Sequence, residues 1–487
     1  MVQLPYDIRA KLLPYQVQPA EHLLSLAPTR HVLDFSDTGT GKMFLHSAVN
    51  AVLQQPTLVV CPLAIVTEWK RTAAFFGDSI SVAGYDAIRT GNTPFGRWTN
   101  PPPRILPRYY RCTICQLDFD PMKPEPCQYH PRGLHCLETK VKKFRRGKFI
   151  WHPNILRIVF DEVHRCNGSD SLNADLVEAA VQSPYIKTAL LSATAADSPM
   201  HLSAIGLAAG LHFGGDSYYK FLRRHGCGKL PPLPGFRWLV GKAQQQEIMR
   251  KLNHRLFPSC GVRMRIAEIP GFPERQIIVR MVDIDADPKD FNAAYLQALH
   301  EKEQLDLDME VTRQLRTQQR LELFKVKALV ERANHYLELG FSVAIFVGFD
   351  ATMQVLKKEL NTDCYIDGTQ TGWADERDRQ VARFQNNQVR VVLVNKRAGN
   401  LGLGFHDLHG GHPRAGLVLP DFSARDLIQT LGRLPRSGSK SRSIYEILYA
   451  AGTDEYPVGE KLDRKIKSEL IRKNSNLEAL NDGDLRP

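Results

Sequence analysis

At 487 residues the chain is too long for a single hydrophobic core, so two or more domains are expected. Its 43% hydrophobic and 24% charged residues are those of a soluble globular protein and exclude a low-complexity or fibrous chain. The 64 Lys+Arg against 52 Asp+Glu leave a net charge of +12, which favours a polyanionic partner without identifying one.

The opening stretch MVQLPYDIRAKLLPYQ has no charged head followed by an apolar core, so no secretory signal is expected. No apolar run approaches the ~20 residues of a membrane span. Nine cysteines are present, and several crowd into one short region, which favours a reducing compartment and a metal site over a disulfide framework. An intracellular, soluble location in cytoplasm or nucleus is therefore expected.

The first apolar run, HVLDF at 31–35, reads as a buried strand. It leads into SDTGTGK and then the helix-compatible MFLHSAV, the strand–loop–helix setting of a phosphate-binding loop. Gly39 and Gly41 would let backbone N–H groups approach phosphates, the helix dipole would add a favourable field, and Lys42 would reach the β- and γ-phosphates. Asp37, Thr38 and Thr40 complete the candidate loop. Met43 stands where a Ser or Thr hydroxyl normally ligates Mg²⁺, and a soft thioether is a poor substitute on so hard a cation. Water could fill that position, so reduced but surviving turnover is expected.

TLVVC at 57–61 is the next strand. After it comes YRCTICQLDFDPMKPEPCQYHPRGLHCLE, in which Cys112 and Cys115 form one CxxC pair and Cys127 and His130 a CxxH pair. Two such pairs can close a tetrahedral Zn²⁺ site, with His135 and Cys136 as reserves for the fourth position. KVKKFRRGKF at 140–149 follows, where Lys142, Lys143, Arg145 and Arg146 would bind phosphates and the interleaved aromatics would pack on sugar or base.

RIVFD at 157–161 is a strand ending in Asp161-Glu162, with His164 two residues on. A carboxylate at such a strand end can hold Mg²⁺ through water, and its neighbour can polarise an attacking water. TALLSA at 188–193 is a further strand. Pro/Gly-rich pieces at 229–236 and 269–276 then place a boundary near residue 270, giving domains 1–270, with an insertion at 100–150, and 271–487. Residues 285–340 read as charged helices. SVAIFV (342–347), VRVVLV (389–394) and GLVLP (416–420) are strands separated by the helical segments 351–360 and 376–385. Strands alternating with helices mean α/β domains with parallel sheets.

Taken in order, these segments resemble the superfamily-two helicases and translocases, especially a Swi/Snf-like branch of viral or phage type. LLPYQ (12–16) resembles the adenine-reading segment, with Gln16 as reader, and SDTGTGK resembles motif I. LVVCPLAIVTEW (58–69) resembles the Swi/Snf-type motif Ia, and DEVH (161–164) a DExH-type motif II. SAT, Ser192-Ala193-Thr194, resembles the coupling motif III, although the Swi/Snf type has TGTP there. NKRAGNLGLGFHDL (395–408), with Gly402, resembles motif V. QTLGRLPR (429–436) resembles motif VI, which would contribute Gln429 to the nucleotide site. AGTDE (451–455) resembles the segment that closes the second lobe.

The resemblance implies two RecA-like lobes, the first carrying the zinc-bearing insertion, with ATP and Mg²⁺ between them. Arg433 and Arg436, three apart and so aimed the same way, would neutralise charge on the γ-phosphate opposite Lys42. Asp161 would link the metal and Glu162 would activate water. The activity implied is ATP-driven movement along nucleic acid, with duplex DNA preferred by analogy. An RNA helicase, or a hydrolysis-impaired nucleotide-gated binder, is the alternative.

Overall fold

A computed structural model describes residues 2–91, 93–99, 147–167, 171–230, 235–273, 275–285, 287–294, 318–367, 374–396, 403–419 and 424–451, together with the strands Arg108–Cys112, Asp118–Phe119 and Leu137–Val141. Two six-stranded sheets organise the chain, and every strand pair in both is parallel. The first runs Gly261–Val262, Val32–Asp34, Lys187–Leu191, Arg157–Asp161, Thr57–Cys61, Ser81–Gly84 across its width. The second runs Arg275–Val282, Ser443–Ala450, Arg414–Val418, Ser342–Val347, Val391–Asn395, Tyr365–Ile366. The α/β class and the two parallel-sheet lobes read from the sequence are those of the structure. The last strand of the first sheet ends at Val262 and the first of the second begins at Arg275.

Most strand positions are apolar because both faces of each sheet are covered. In the first lobe Leu58, Val60, Ile158, Phe160 and Leu190 face one core cluster, while Val59, Cys61, Val159, Ala189 and Leu191 face the other. In the second lobe Phe346, Val392 and Val394 point one way and Val343, Ile345 and Leu393 the other. Helices such as Lys42–Leu53, Val66–Phe76, Val326–Glu338 and Asp350–Glu359 cover these faces. Among the described residues no helix is long and apolar enough to cross a membrane.

The insertion contributes a three-stranded antiparallel sheet, Asp118–Phe119, Arg108–Cys112, Leu137–Val141. In both large sheets the loops that follow the strands' C-terminal ends carry the motif residues, as open parallel sheets require of a ligand site.

Candidate active site

The Val32–Asp34 strand ends in a turn that delivers the chain to the helix Lys42–Leu53. Gly39 and Gly41 hold φ of +91° and +86°, a region that penalises any Cβ. Space reinforces the requirement. A Cβ on Gly41 would stand 2.3 Å from Gln16 Nε2, and one on Gly39 would stand 2.9 Å from the Pro435 carbonyl oxygen.

Gln16 and Tyr15 both grip the loop. Gln16 Nε2 donates to the Thr40 carbonyl at 2.9 Å and Tyr15 Oη donates to the same oxygen at 3.1 Å. Gln16 Oε1 accepts from Leu13 N at 3.0 Å. Lys42 Nζ lies over the loop, donating to the carbonyls of Ser36 (2.8 Å) and Asp37 (3.2 Å). Thr40 Oγ1 donates to the Asp37 carbonyl at 2.9 Å. The Asp37 carboxylate accepts from Ile266 N at 2.9 Å, so it ties the loop to the edge of the sheet. Thr38 faces Gly432 of the other lobe, whose added Cβ would stand 2.6 Å from Thr38 Cβ.

Two strands away, Asp161 closes the buried strand Arg157–Asp161 and is 7% exposed. Its Oδ2 accepts from Trp69 Nε1 at 2.9 Å and its Oδ1 from Glu162 N at 2.8 Å. Glu162 sits at φ +53°, a left-handed conformation that costs a non-glycine residue about 1–3 kcal/mol. His164 Nδ1 lies 3.2 Å from Glu162 Oε2 and 3.1 Å from Ser192 Oγ. Ser192 Oγ also accepts from Thr194 N at 3.1 Å, and Ser192 N donates to the Asp34 carbonyl at 3.0 Å. Motif III, with Ala193 buried beside it, is thus joined to the acidic pair by a side-chain bond.

The two carboxyls are pushed apart in acidity. Burial, then the Glu162 charge, raises Asp161 to about 7. Burial also opposes ionisation of Glu162, but the His164 bond and the charges of His164, Lys42 and Arg433 outweigh it and hold Glu162 below its ordinary value.

The second lobe supplies the opposite wall. Gln429 is buried in the helix Ala424–Leu431, and its carbonyl accepts from Gly432 N at 3.3 Å. Arg433 Nη1 (3.2 Å) and Arg436 Nη2 (2.9 Å) both donate to the Leu403 carbonyl. Arg433 is 2% exposed, and burial followed by the Arg436 charge lowers it to about 10, so it remains a cation at neutral pH. Ser437 N donates to the Gly39 carbonyl at 3.4 Å, and a Cβ on Gly39 would stand 3.4 Å from Arg436 Cγ. The arginine turn therefore rests on the phosphate loop, and Lys42 and Arg436 flank the same loop. A second bridge between lobes is the Arg377 Nη2 bond to the Ala64 carbonyl at 2.7 Å, beside the Arg71–Asp378 ion pair at 3.6 Å.

Asp161 and Glu162, both within the field of the Lys42 charge, offer carboxylate oxygens, which suit a hard, water-carrying Mg²⁺. The free lone pairs of Asp161 and the in-cleft Glu162 fit such an ion. Met43 is turned elsewhere. It packs against the apolar cluster containing Trp69, and its Sδ accepts from Thr72 Oγ1 at 3.5 Å.

Gly402, Cys115, Cys127, His130, His135, Cys136, Lys142, Lys143, Arg145 and Arg146 lie outside the described residues, and of Cys112 only the strand position is described. Among the described residues no group of three or more His, Cys, Asp or Glu could hold a metal ion. Of 452–455, the end of the AGTDE segment, nothing is described.

Sequence reasoning missed five participants. Tyr15 and Trp69 lay inside quoted motifs but carried no assigned role. Asp34 and His46, both fully buried, meet at 3.1 Å directly under the loop. Arg157, also fully buried, donates from Nε to Asn50 Oδ1 at 2.8 Å. A charged residue inside an apolar run is the only sequence signal these last offered.

A scan of protein-family profiles returned no match. A protein of Acanthamoeba polyphaga mimivirus with the provisional name ATP-dependent RNA helicase is 30% identical over 501 residues, covering 99% of this chain and 86% of its own. Among solved structures, S. cerevisiae Dbp5 bound to RNA and ADP BeF3 is 13% identical with a TM-score of 0.47, covering 99% of this chain and 93% of that one. A single-residue variant of the same yeast protein gives a TM-score of 0.42. Neither structural likeness is close enough to bear on function.

Proposed function

The chain belongs to the superfamily-two helicases, the family of its mimivirus relative, and from that premise we propose that it is an ATP-dependent RNA helicase hydrolysing ATP between two RecA-like lobes. The observation that carries this reading is the arginine turn resting on the phosphate loop, with Ser437 N on the Gly39 carbonyl and Glu162 in the field of both Lys42 and Arg433. The duplex-DNA preference drawn from the Swi/Snf-like motif Ia gives way to RNA. The relative's name favours RNA, and SAT in place of TGTP already departs from the Swi/Snf pattern.

Each role follows from position. The amides around Gly39 and Gly41 and the Lys42 ammonium hold the triphosphate. Gln16, fixed to Thr40, couples base recognition to loop shape. Asp161 would hold Mg²⁺, which when bound would neutralise phosphate charge. Ionised Glu162 orients a water whose oxygen bonds to the γ-phosphorus as the bond to ADP breaks. The water's proton leaves by way of the Glu162–His164 pair. Arg433 and Arg436 stabilise the charge on the transferring group, and the His164–Ser192 bond passes the change to motif III.

The nucleic-acid side is read from sequence alone. Cys112, Cys115, Cys127 and His130 would close a Zn²⁺ knuckle, and Lys142, Lys143, Arg145 and Arg146 beside it would bind phosphates. Stoichiometric zinc in the purified protein would support that site, and its absence would remove it.

The deciding experiment is ATPase stimulation by RNA, single-stranded DNA and duplex DNA at two salt concentrations. RNA should stimulate most. Preferential stimulation by duplex DNA would restore the translocase reading, and ATP binding without turnover under any polymer would leave a nucleotide-gated binder.

A further inference from the structure

The helix Val66–Phe76 turns Trp69, Thr72, Ala73 and Phe76 inward. Trp69 is completely buried, and its indole N–H does not find a backbone carbonyl, as those of Trp98 and Trp151 do. It bonds Asp161 Oδ2 at 2.9 Å across 92 residues of chain. One turn further, Thr72 Oγ1 bonds the sulfur of Met43, the residue that replaces the loop hydroxyl. A single helix face therefore holds both Asp161 and Met43.

Building on the proposed ATPase reading, we propose that Trp69 is a positioning residue for the magnesium-bearing carboxylate, compensating for the hydroxyl that Met43 does not provide. An Asp side chain at a strand end can rotate, and one hydrogen bond does not stop it. Here Oδ1 is fixed by Glu162 N at 2.8 Å and Oδ2 by Trp69, so the carboxylate plane is set before any ion arrives. Each oxygen keeps a second lone pair for an ion's water shell. Partners of this kind commonly contribute 10–100-fold to metal affinity. The segment leading into this helix is also where the second lobe attaches, through Arg377 on the Ala64 carbonyl, with Arg71 meeting Asp378 from the helix itself.

The test uses the full chain labelled with 5-fluorotryptophan, five tryptophans in all, with a non-hydrolysable ATP analogue held at saturation. The ¹⁹F line lost in Trp69→Phe identifies Trp69. Where that variant does not fold, replacing the other tryptophans singly identifies it by elimination. Adding Mg²⁺ should shift the Trp69 line. Trp69→Phe should bind the analogue normally without metal yet need about tenfold more Mg²⁺ to tighten binding. A Trp69 line unmoved by Mg²⁺, or an unchanged Mg²⁺ requirement in Trp69→Phe, overturns the positioning role while leaving the ATPase reading intact. A labelled wild-type chain that binds no nucleotide at all overturns the ATPase reading and this inference with it.

Discussion

Two buried carboxyls, one in each lobe, meet opposite treatment. In the second, Glu446 on the strand Ser443–Ala450 accepts from Arg280 Nε (2.9 Å), Arg332 Nε (2.8 Å), Arg332 Nη2 (2.9 Å) and Tyr336 Oη (2.8 Å). Its side chain is fully buried, and burial opposes its charge, but the Arg332 bond and its companions hold it below the ordinary carboxyl range. Such a saturated carboxylate staples the helix Val326–Glu338 and the strand Arg275–Val282 to the sheet. In the first lobe Asp161 receives only two hydrogen bonds and is pushed up to about 7 by burial and its acidic neighbour. A carboxylate satisfied on every side builds structure. One left short of cations, at the edge of a cleft lined by Lys42 and Arg433, is suited to bind them.

That contrast can be broken in four places. The largest effect belongs to the cleft: Arg433→Ala should lower kcat by about 10³ while nucleotide affinity changes little. A loss confined to affinity would mean that Arg433 serves only binding. Next, Glu446→Ala should leave Arg332 and Tyr336 without their acceptor and cost about 3 kcal/mol of second-lobe stability, seen as a lowered Tm. If it lowered ATPase activity without moving the Tm, the division between structural and functional carboxylates would fail.

The third effect is a pH dependence. As the proposed Mg²⁺ ligand, Asp161 must lose its proton to bind the ion, and its raised value means that the proton competes below about pH 7. Apparent Mg²⁺ affinity should therefore fall about tenfold per unit as pH drops below that point, with proton release on binding visible by calorimetry in two buffers. A flat profile from pH 5 to 7 would place the ion elsewhere. The smallest is Met43→Thr, which restores a hard ligand and should raise kcat on the order of two- to tenfold. An unchanged or lower rate would show that the Thr72–Met43 contact matters more than the hydroxyl.

Much of this architecture was legible in the sequence, and the reason is local. Strands with both faces covered are apolar at most positions, so TLVVC and SVAIFV mark themselves, and the observed Thr57–Cys61 and Ser342–Val347 match those runs. Gly39 and Gly41 are required by backbone conformation, and Lys42 by proximity to that loop. Arg433 and Arg436 converge on the Leu403 carbonyl from a non-helical turn beyond the helix Ala424–Leu431, which their spacing alone did not dictate. Asp37 illustrates the limit of such reasoning: its place in the loop was readable, but not that its carboxylate would be committed to Ile266 N, 229 residues away.

The sequence by itself determined the elements, the loop, the acidic pair and the arginine turn, because each depends on residues within a few positions of one another. Tertiary structure alone decided which carboxylate would be saturated and which left short of cations. Trp69 reaches Asp161 across 92 residues, and Arg332 reaches Glu446 across 114. Hydrogen-bond partners at that separation are chosen by how sheets and helices stack, and no local pattern in the chain records that choice.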